Sequence, residues 1–272
     1  MIEINKEKVS YILRPKSEEV HKGDMGKVLL RVGSSGMTGA AILSAGAALR
    51  AGSGLVYIDA PSDIHPILQV SVPEAICGIP AEHDAACAGP GIGKSREAAE
   101  SVKKMIKADD CPLVLDADAL NIIAADDMFP LVRSRKSPTV YTPHMGEAKR
   151  LLGDDYSEGM TREEIVRKLW KKLGGIAVLK GSGTLVFDGD ELFVNTTGNR
   201  GMATAGSGDV LSGVMTSFLG QGISPLDAAV SAVYIHGLAG DMAKDEFGYR
   251  GLIARDLVKY IAYAIRNIEL NL

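Results

Sequence analysis

Short runs of apolar and β-branched residues recur along the chain, and most are followed by a longer stretch with apolar positions at helical spacing. The runs predict strands at 27–32, 55–59, 85–88, 113–116, 139–142, 176–180, 184–188 and 191–195. Strands alternating with helices imply parallel pairing and a sheet covered on both faces. The last two runs differ, because only Gly189-Asp190 separates them, which predicts an antiparallel hairpin.

Helix boundaries are written locally. Thr161 with Glu164 three residues on forms a capping box, and Gly174-Gly175 ends that helix. Ser224-Pro225 opens another helix, and the C-terminal quarter of the chain is almost wholly helical. The small residues of Gly39-Ala40-Ala41-Ile42-Leu43-Ser44-Ala45-Gly46-Ala47-Ala48 predict a helix packed closely on a sheet. No repeat, low-complexity tract or linker interrupts residues 1–272, which predicts one domain.

Composition narrows the function. With 272 residues, 46% hydrophobic and 24% charged, the chain can bury a sizeable core. A net charge of −4 gives no electrostatic reason to expect nucleic acid or an anionic membrane as partner. Any phosphate must therefore be held by a loop or a helix end. Residues 1–20 carry charges and no apolar signal segment, and the apolar run at 40–49 is too short to span a bilayer. A cytoplasmic location is expected. Cys77, Cys87 and Cys111 form no C-x-x-C pair and have no His at ligand spacing, so they are read as core thiols.

The densest chemical signal is Asn199-Arg200-Gly201-Met202-Ala203-Thr204-Ala205-Gly206-Ser207-Gly208-Asp209 running into an apolar helical stretch. Helix N-termini present unpaired N–H groups and a positive dipole end, and glycines let a phosphate approach the backbone. Asp209 has a plain role as a first-turn acid. Beside an anion-binding turn it can also take a proton from a hydroxyl attacking phosphorus.

A competing phosphate loop is Ala88-Gly89-Pro90-Gly91-Ile92-Gly93-Lys94-Ser95, which ends like a P-loop and is followed by a strand acid, Asp116. Pro90 supplies no N–H where a phosphate cradle needs donors, and this reading leaves the Gly206–Asp209 turn without a role. Lys180-Gly181-Ser182-Gly183-Thr184 follows a buried strand and suits a nucleotide phosphate or ribose; a solvated hairpin turn is its plainer reading. His144 lies just past a strand's carboxyl end, where open α/β sheets bind ligands, although a lone histidine is usually structural.

Taken in order, seven segments resemble the ADP- or ATP-dependent NAD(P)H-hydrate dehydratases, metabolite-repair enzymes with a ribokinase-like fold. They are His21-Lys22-Gly23-Asp24-Met25-Gly26, Gly33-Ser34 with Gly39-Ala40-Ala41, Gly89-Pro90-Gly91-Ile92-Gly93, Leu115-Asp116-Ala117-Asp118-Ala119-Leu120, Thr142-Pro143-His144-Met145-Gly146-Glu147, Lys180-Gly181, and the Asn199–Asp209 block. Met145 stands where Pro is more usual in that family.

The resemblance implies an α/β fold with a mostly parallel central sheet and helices on both faces. It implies NADH or NADPH hydrated on the nicotinamide ring as substrate, with ADP (or ATP) as the phosphoryl donor. Asp209 would be the catalytic base and Gly206, Ser207 and Gly208 the anion hole. Lys180, Gly181, Ser182, Gly183, Thr184 and Gly208 would bind nucleotide, and Ala41, Gly91, Gly93, His144 and Asp209 would line the hydrate pocket. Mg2+ is expected with the nucleotide phosphates, and no carboxylate cluster reads as a dedicated metal cage. A homo-oligomer, a tetramer, is implied. Bifunctional members carry a further N-terminal epimerase domain; only about twenty residues precede His21, so the epimerase is expected to be absent from this polypeptide.

Overall fold

The computed structural model describes residues 1–14, 21–108 and 110–270. Its strands are β1 (Ile2–Ile4), β2 (Lys27–Arg31), β3 (Leu55–Asp59), β4 (Ile76–Cys77), β5 (Ala85–Ala88), β6 (Leu113–Leu115), β7 (Thr139–Tyr141), β8 (Ile176–Leu179), β9 (Leu185–Phe187) and β10 (Leu192–Asn195). The helices are α1 (Lys6–Ile12), α2 (Thr38–Arg50), α3 (His65–Ser71), α4 (Arg96–Ala108), α5 (Asp118–Ala125), α6 (Phe129–Arg133), α7 (Met145–Leu152), α8 (Arg162–Leu173), α9 (Ser207–Gly220), α10 (Pro225–Gly251) and α11 (Ala254–Glu269).

All these strands join one sheet in the order β1-β10-β9-β8-β7-β6-β5-β2-β3-β4. Pairing is parallel except where β9 meets β8 and β10, so the hairpin expected from Gly189-Asp190 is present. Strand side chains alternate between two cores, as a pleat requires. Val28, Leu30, Cys87, Val114, Val140 and Val178 face α2, α9, α10 and α11. Leu29, Ala86, Leu113, Leu115, Tyr141 and Leu179 face α4, α5, α7 and α8. A three-layer α/β/α arrangement results, as the alternating pattern predicts.

Two strands escaped the sequence pattern. β1 and β4 are three and two residues long, and each gains its identity only from a distant partner, β10 or β3. Other expected strands ran too far. Asp116, Thr142 and Lys180 lie just past the observed ends, where the chain leaves the sheet. The caps are as read: Thr161 Oγ1 accepts the Glu164 N–H at 3.2 Å while Glu164 accepts the Thr161 N–H at 2.7 Å, and Ser224 Oγ accepts the Asp227 N–H at 3.3 Å.

The small-residue helix α2 requires a correction. It touches β2 and β3, but its tight contact is with another helix, α9. A Cβ on Gly213 would run into the Ser44 carbonyl and lie 3.0 Å from Ala47 Cβ. Small side chains bring two helix backbones together here, and this fixes where α9 begins. Gly213→Ala is expected to destabilise the fold by about 1–3 kcal/mol through overpacking, seen as a lower midpoint in urea denaturation.

Candidate active site

Strand alternation assembles the site. Leu115 and Leu179 face the α4–α8 layer, so Asp116 and Lys180, one residue on, turn toward α9. There Lys180 Nζ donates to Asp116 Oδ1 at 2.6 Å, and Asp116 Oδ2 accepts the Ser212 hydroxyl of α9 at 2.8 Å. Asp116 is 1% exposed. Its Oδ1 also accepts the Ala117 N–H at 2.8 Å, across a junction where Ala117 adopts φ 51°. A non-glycine residue at positive φ costs on the order of 1–3 kcal/mol, a kind of strain that clusters at functional sites.

Glu147 joins from α7. It is 4% exposed, its Oε2 lies 3.8 Å from Lys180 Nζ, and the same oxygen accepts the His144 N–H at 2.8 Å. His144 is the N-cap of α7: its Nδ1 accepts the Gly146 N–H at 2.9 Å, which leaves Nε2 as the protonated nitrogen. With 54% of its side chain exposed, the ring stands at the rim. The plain structural role, the helix cap, is therefore present.

α9 starts at this cluster. Gly206 adopts φ 88° at the N-cap, and no side chain caps the helix start. First-turn N–H groups have no intrahelical partners, so those of the Gly206-Ser207-Gly208 turn suit an anion. A Cβ on Gly208 would sit 3.2 Å from Lys180 Nζ, so the turn and the lysine are neighbours. Asp209 lies in this first turn, and its carbonyl accepts the Ser44 hydroxyl at 3.1 Å. Burial first, and then the negative charge of Asp116, lift the Asp209 carboxyl to about 6 against the pull of Lys180. Burial also raises Glu147. Burial opposes the Lys180 charge, but Asp116 and Glu147 prevail and hold the ammonium above the ordinary lysine value.

Asp209, Gly208, Lys180 and His144 are therefore brought together. Ala41, Gly91 and Gly93 form a neighbouring group where the β5–α4 loop meets α2. A Cβ on Gly91 would lie 2.7 Å from Ala40 Cβ, and Ser34 Oγ donates to the Gly91 carbonyl at 2.8 Å. The Gly93 N–H reaches Asp118 Oδ2 at 2.9 Å. Ala41 is fully buried, and Gly33 packs over it. α2 links this group to the α9 start, where Leu43 fills the space beside Gly206. Gly181, Ser182, Gly183 and Thr184 run outward as the β8–β9 turn. There Thr184 Oγ1 donates to the Gly181 carbonyl at 3.0 Å, and Arg162 donates to the carbonyls of Ser182 and Leu179.

The competing phosphate loop is arranged otherwise. Lys94 and Ser95 are exposed, and Ser95 caps α4 from outside by accepting the Ala98 N–H at 3.2 Å. Its carbonyls at Pro90 and Gly91 are bound to the β2–α2 turn.

Sequence reasoning gave no role to Glu147, Asp118, Arg162 or His236, and cast Asp116 only as the strand acid of the competing phosphate loop. His236 of α10 has its Nε2 2.9 Å from the Ser207 carbonyl, and burial pushes its imidazole down to about 4, so it is neutral. Asp116 and Glu147 were visible only as members of motifs; their position just after strand ends was the available signal.

The layered sheet and this site place the chain in the ribokinase-like class: a ribokinase-like protein of Enterococcus faecalis superposes with a TM-score of 0.88 at 27% identity, covering 98% of this chain and 96% of that one. Residues 28–263 match the family model described as NAD(P)H-hydrate dehydratase. The chain belongs to the NAD(P)H-hydrate dehydratase family. It is 37% identical to the ADP-dependent (S)-NAD(P)H-hydrate dehydratase of Neisseria meningitidis, covering 91% of this chain and 87% of that one. The Bacillus subtilis ADP/ATP-dependent NAD(P)H-hydrate dehydratase, co-crystallised with ATP/Mg2+, superposes with a TM-score of 0.89 at 30% identity, covering 98% and 99% of the two chains. A bifunctional NAD(P)H-hydrate repair enzyme of Moorella thermoacetica is 39% identical over 92% of this chain, which spans 51% of that protein. The chain thus spans about half the length of the bifunctional relatives it matches. Among the described residues no helix is long and apolar enough to cross a membrane.

The raised Asp209 carboxyl has a consequence for stability. The folded chain holds this proton up to about pH 6, whereas an unfolded chain releases it near about 4. Between these values the native state binds more protons, so stability falls as pH rises. Asp209→Asn is expected to be more stable than wild type at pH 7, by on the order of 1 kcal/mol, and no more stable at pH 4. Urea denaturation at the two pH values checks this.

Proposed function

We propose that the chain dehydrates hydrated NADH or NADPH back to the reduced dinucleotide, using ADP or ATP to phosphorylate the ring hydroxyl. The observation that carries this reading is the Asp209 carboxylate in the first turn of the uncapped α9, beside Lys180, with its carboxyl lifted to about 6. A base of that strength is largely ionised at neutral pH and still accepts a proton usefully.

The ring hydroxyl would attack the terminal phosphorus and lose its proton to Asp209, while the bond to the departing nucleotide breaks. Amides of the Gly206-Ser207-Gly208 turn, with the positive end of α9, would stabilise charge gathering on the transferring group. Cleavage of the ring C–O bond then releases phosphate, a far better leaving group than hydroxide, and loss of a ring proton restores the double bond. His144, Gly91, Gly93 and Ala41 would bound the hydrate pocket. Lys180 with Gly181, Ser182, Gly183, Thr184 and Gly208 would hold the nucleotide.

The buried carboxylates Asp116 and Glu147 already surround the Lys180 ammonium, so they are not a free cage for a second cation. Mg2+ would arrive on the nucleotide phosphates and offset their charge. A cytoplasmic homotetramer completes the reading; the exposed Phe247, Tyr249, Ile253 and Tyr263 near the α10–α11 junction support self-association. Sedimentation velocity at micromolar concentration checks the assembly, with a tetramer expected.

The activity test follows the recovery of reduced-nicotinamide absorbance in hydrated NADH with ADP and Mg2+. Recovery is expected. A flat trace combined with stable phosphorylation of a thiazole- or pyridoxal-type alcohol would assign the chain to vitamin-precursor kinases instead. Asp209→Asn is expected to lose a hundredfold or more in rate, as for a lost general base, while Lys94→Ala stays near wild type. The wild-type rate is expected to rise with pH through about 6, the value of the Asp209 carboxyl, and then level off.

A further inference from the structure

At the opposite end of β6 from Asp116, the chain gathers three groups that the proposed reaction does not use. β5 and β6 are parallel neighbours, with Ala86 opposite Leu113. The residues just ahead of both strands therefore arrive side by side. His83 precedes β5, and Asp110 and Cys111 precede β6. A ring nitrogen of His83, a carboxylate oxygen of Asp110 and the Cys111 sulfur all lie within 4.8 Å of one another. Among the described residues they form the one group of three or more such side chains at that spacing. Linear spacing concealed it, because 27 residues lie between His83 and Cys111.

The two segments are held to their neighbours by other contacts, while within the cluster the Cys111 thiol hydrogen-bonds the Asp110 carboxylate. The Ala86 N–H donates to the Pro112 carbonyl at 2.9 Å, Arg135 Nη2 donates to the Cys111 carbonyl at 2.7 Å, and Asp84 accepts the Lys27 N–H at 2.7 Å. His83 Nδ1 is shut off from solvent without a hydrogen-bond partner, a costly state for a buried polar atom. The cluster also opens on a cavity of about 350 Å3 under α4, walled by Leu29, Ala86 and Met105, with Lys104 at its edge.

We propose that His83, Asp110 and Cys111 form a binding site for a divalent transition metal of the zinc class, separate from the nucleotide site. Imidazole nitrogen, carboxylate oxygen and thiolate sulfur together suit borderline-soft Zn2+ rather than Mg2+. Tetrahedral zinc sets such donors roughly 3.3–3.8 Å apart, so small side-chain rotations close the observed cluster. Three protein ligands leave a fourth position, which faces the cavity and would take a water molecule.

Cobalt titration of the chelator-stripped full chain tests the site, because Co2+ reports both thiolate ligation and tetrahedral geometry in its spectrum. One equivalent is expected to produce a thiolate-to-cobalt charge-transfer band with tetrahedral d–d bands, and Zn2+ should displace it. Cys111→Ser should abolish the charge-transfer band, whereas Cys77→Ser and Asp209→Asn should keep it. Asp110→Asn, at an exposed position that the fold tolerates, and His83→Gln should weaken binding at least tenfold. Absence of the band in the wild type, or undiminished affinity in Asp110→Asn and His83→Gln, overturns the proposal.

Discussion

The ion pair between Lys180 and Asp116 is the contact around which the rest of the site is built. Removing two charges from water is expensive, and their attraction compensates only when geometry and further hydrogen bonds are good. Asp116 meets that condition with the Lys180 ammonium, the Ser212 hydroxyl and the Ala117 N–H. These three bonds tie β6, β8 and α9 to one point. Loss of either partner would strand a buried charge, so the pair links α9 to the strand ends alongside its packing on α2.

The pair in turn sets the chemistry around it. Asp116 is the negative neighbour that helps raise the Asp209 carboxyl, and Lys180 is the positive one that restrains it. Glu147 leans on the same ammonium while bracing His144 through the capping box of α7. One charged cluster therefore adds to burial in setting the basicity of Asp209, braces the start of α7 and stands beside the Gly208 backbone.

Much of this was legible in the sequence wherever the signal was local. Eight strands, the hairpin at Gly189-Asp190, the caps at Thr161 and Ser224 and the glycine turn before Asp209 are each written within a few neighbouring residues. β1 and β4 were not, because segments of three and two residues carry no periodicity and depend on a partner far along the chain. The same reason explains the silence of Glu147 and His236 and the assignment of Asp116 to the wrong loop, since their meaning appears only when strand ends and helix starts converge. The small-residue run of α2 was legible as close packing but not as to its partner, since Ala and Gly permit approach to a sheet or a helix alike. His144 shows the reverse case, where one local motif defines a helix cap beside the charged cluster.

α9 is buried at every residue from Val210 to Gly220. Dissolved electrolyte screens charge only where water can carry it, with a Debye length of about 8 Å at physiological ionic strength. Along most of this helix no such medium is present. The partial positive charge at its N-terminus is therefore met by water and counterions only around the half-buried Gly206–Asp209 turn, and that is where they compete with a bound anion.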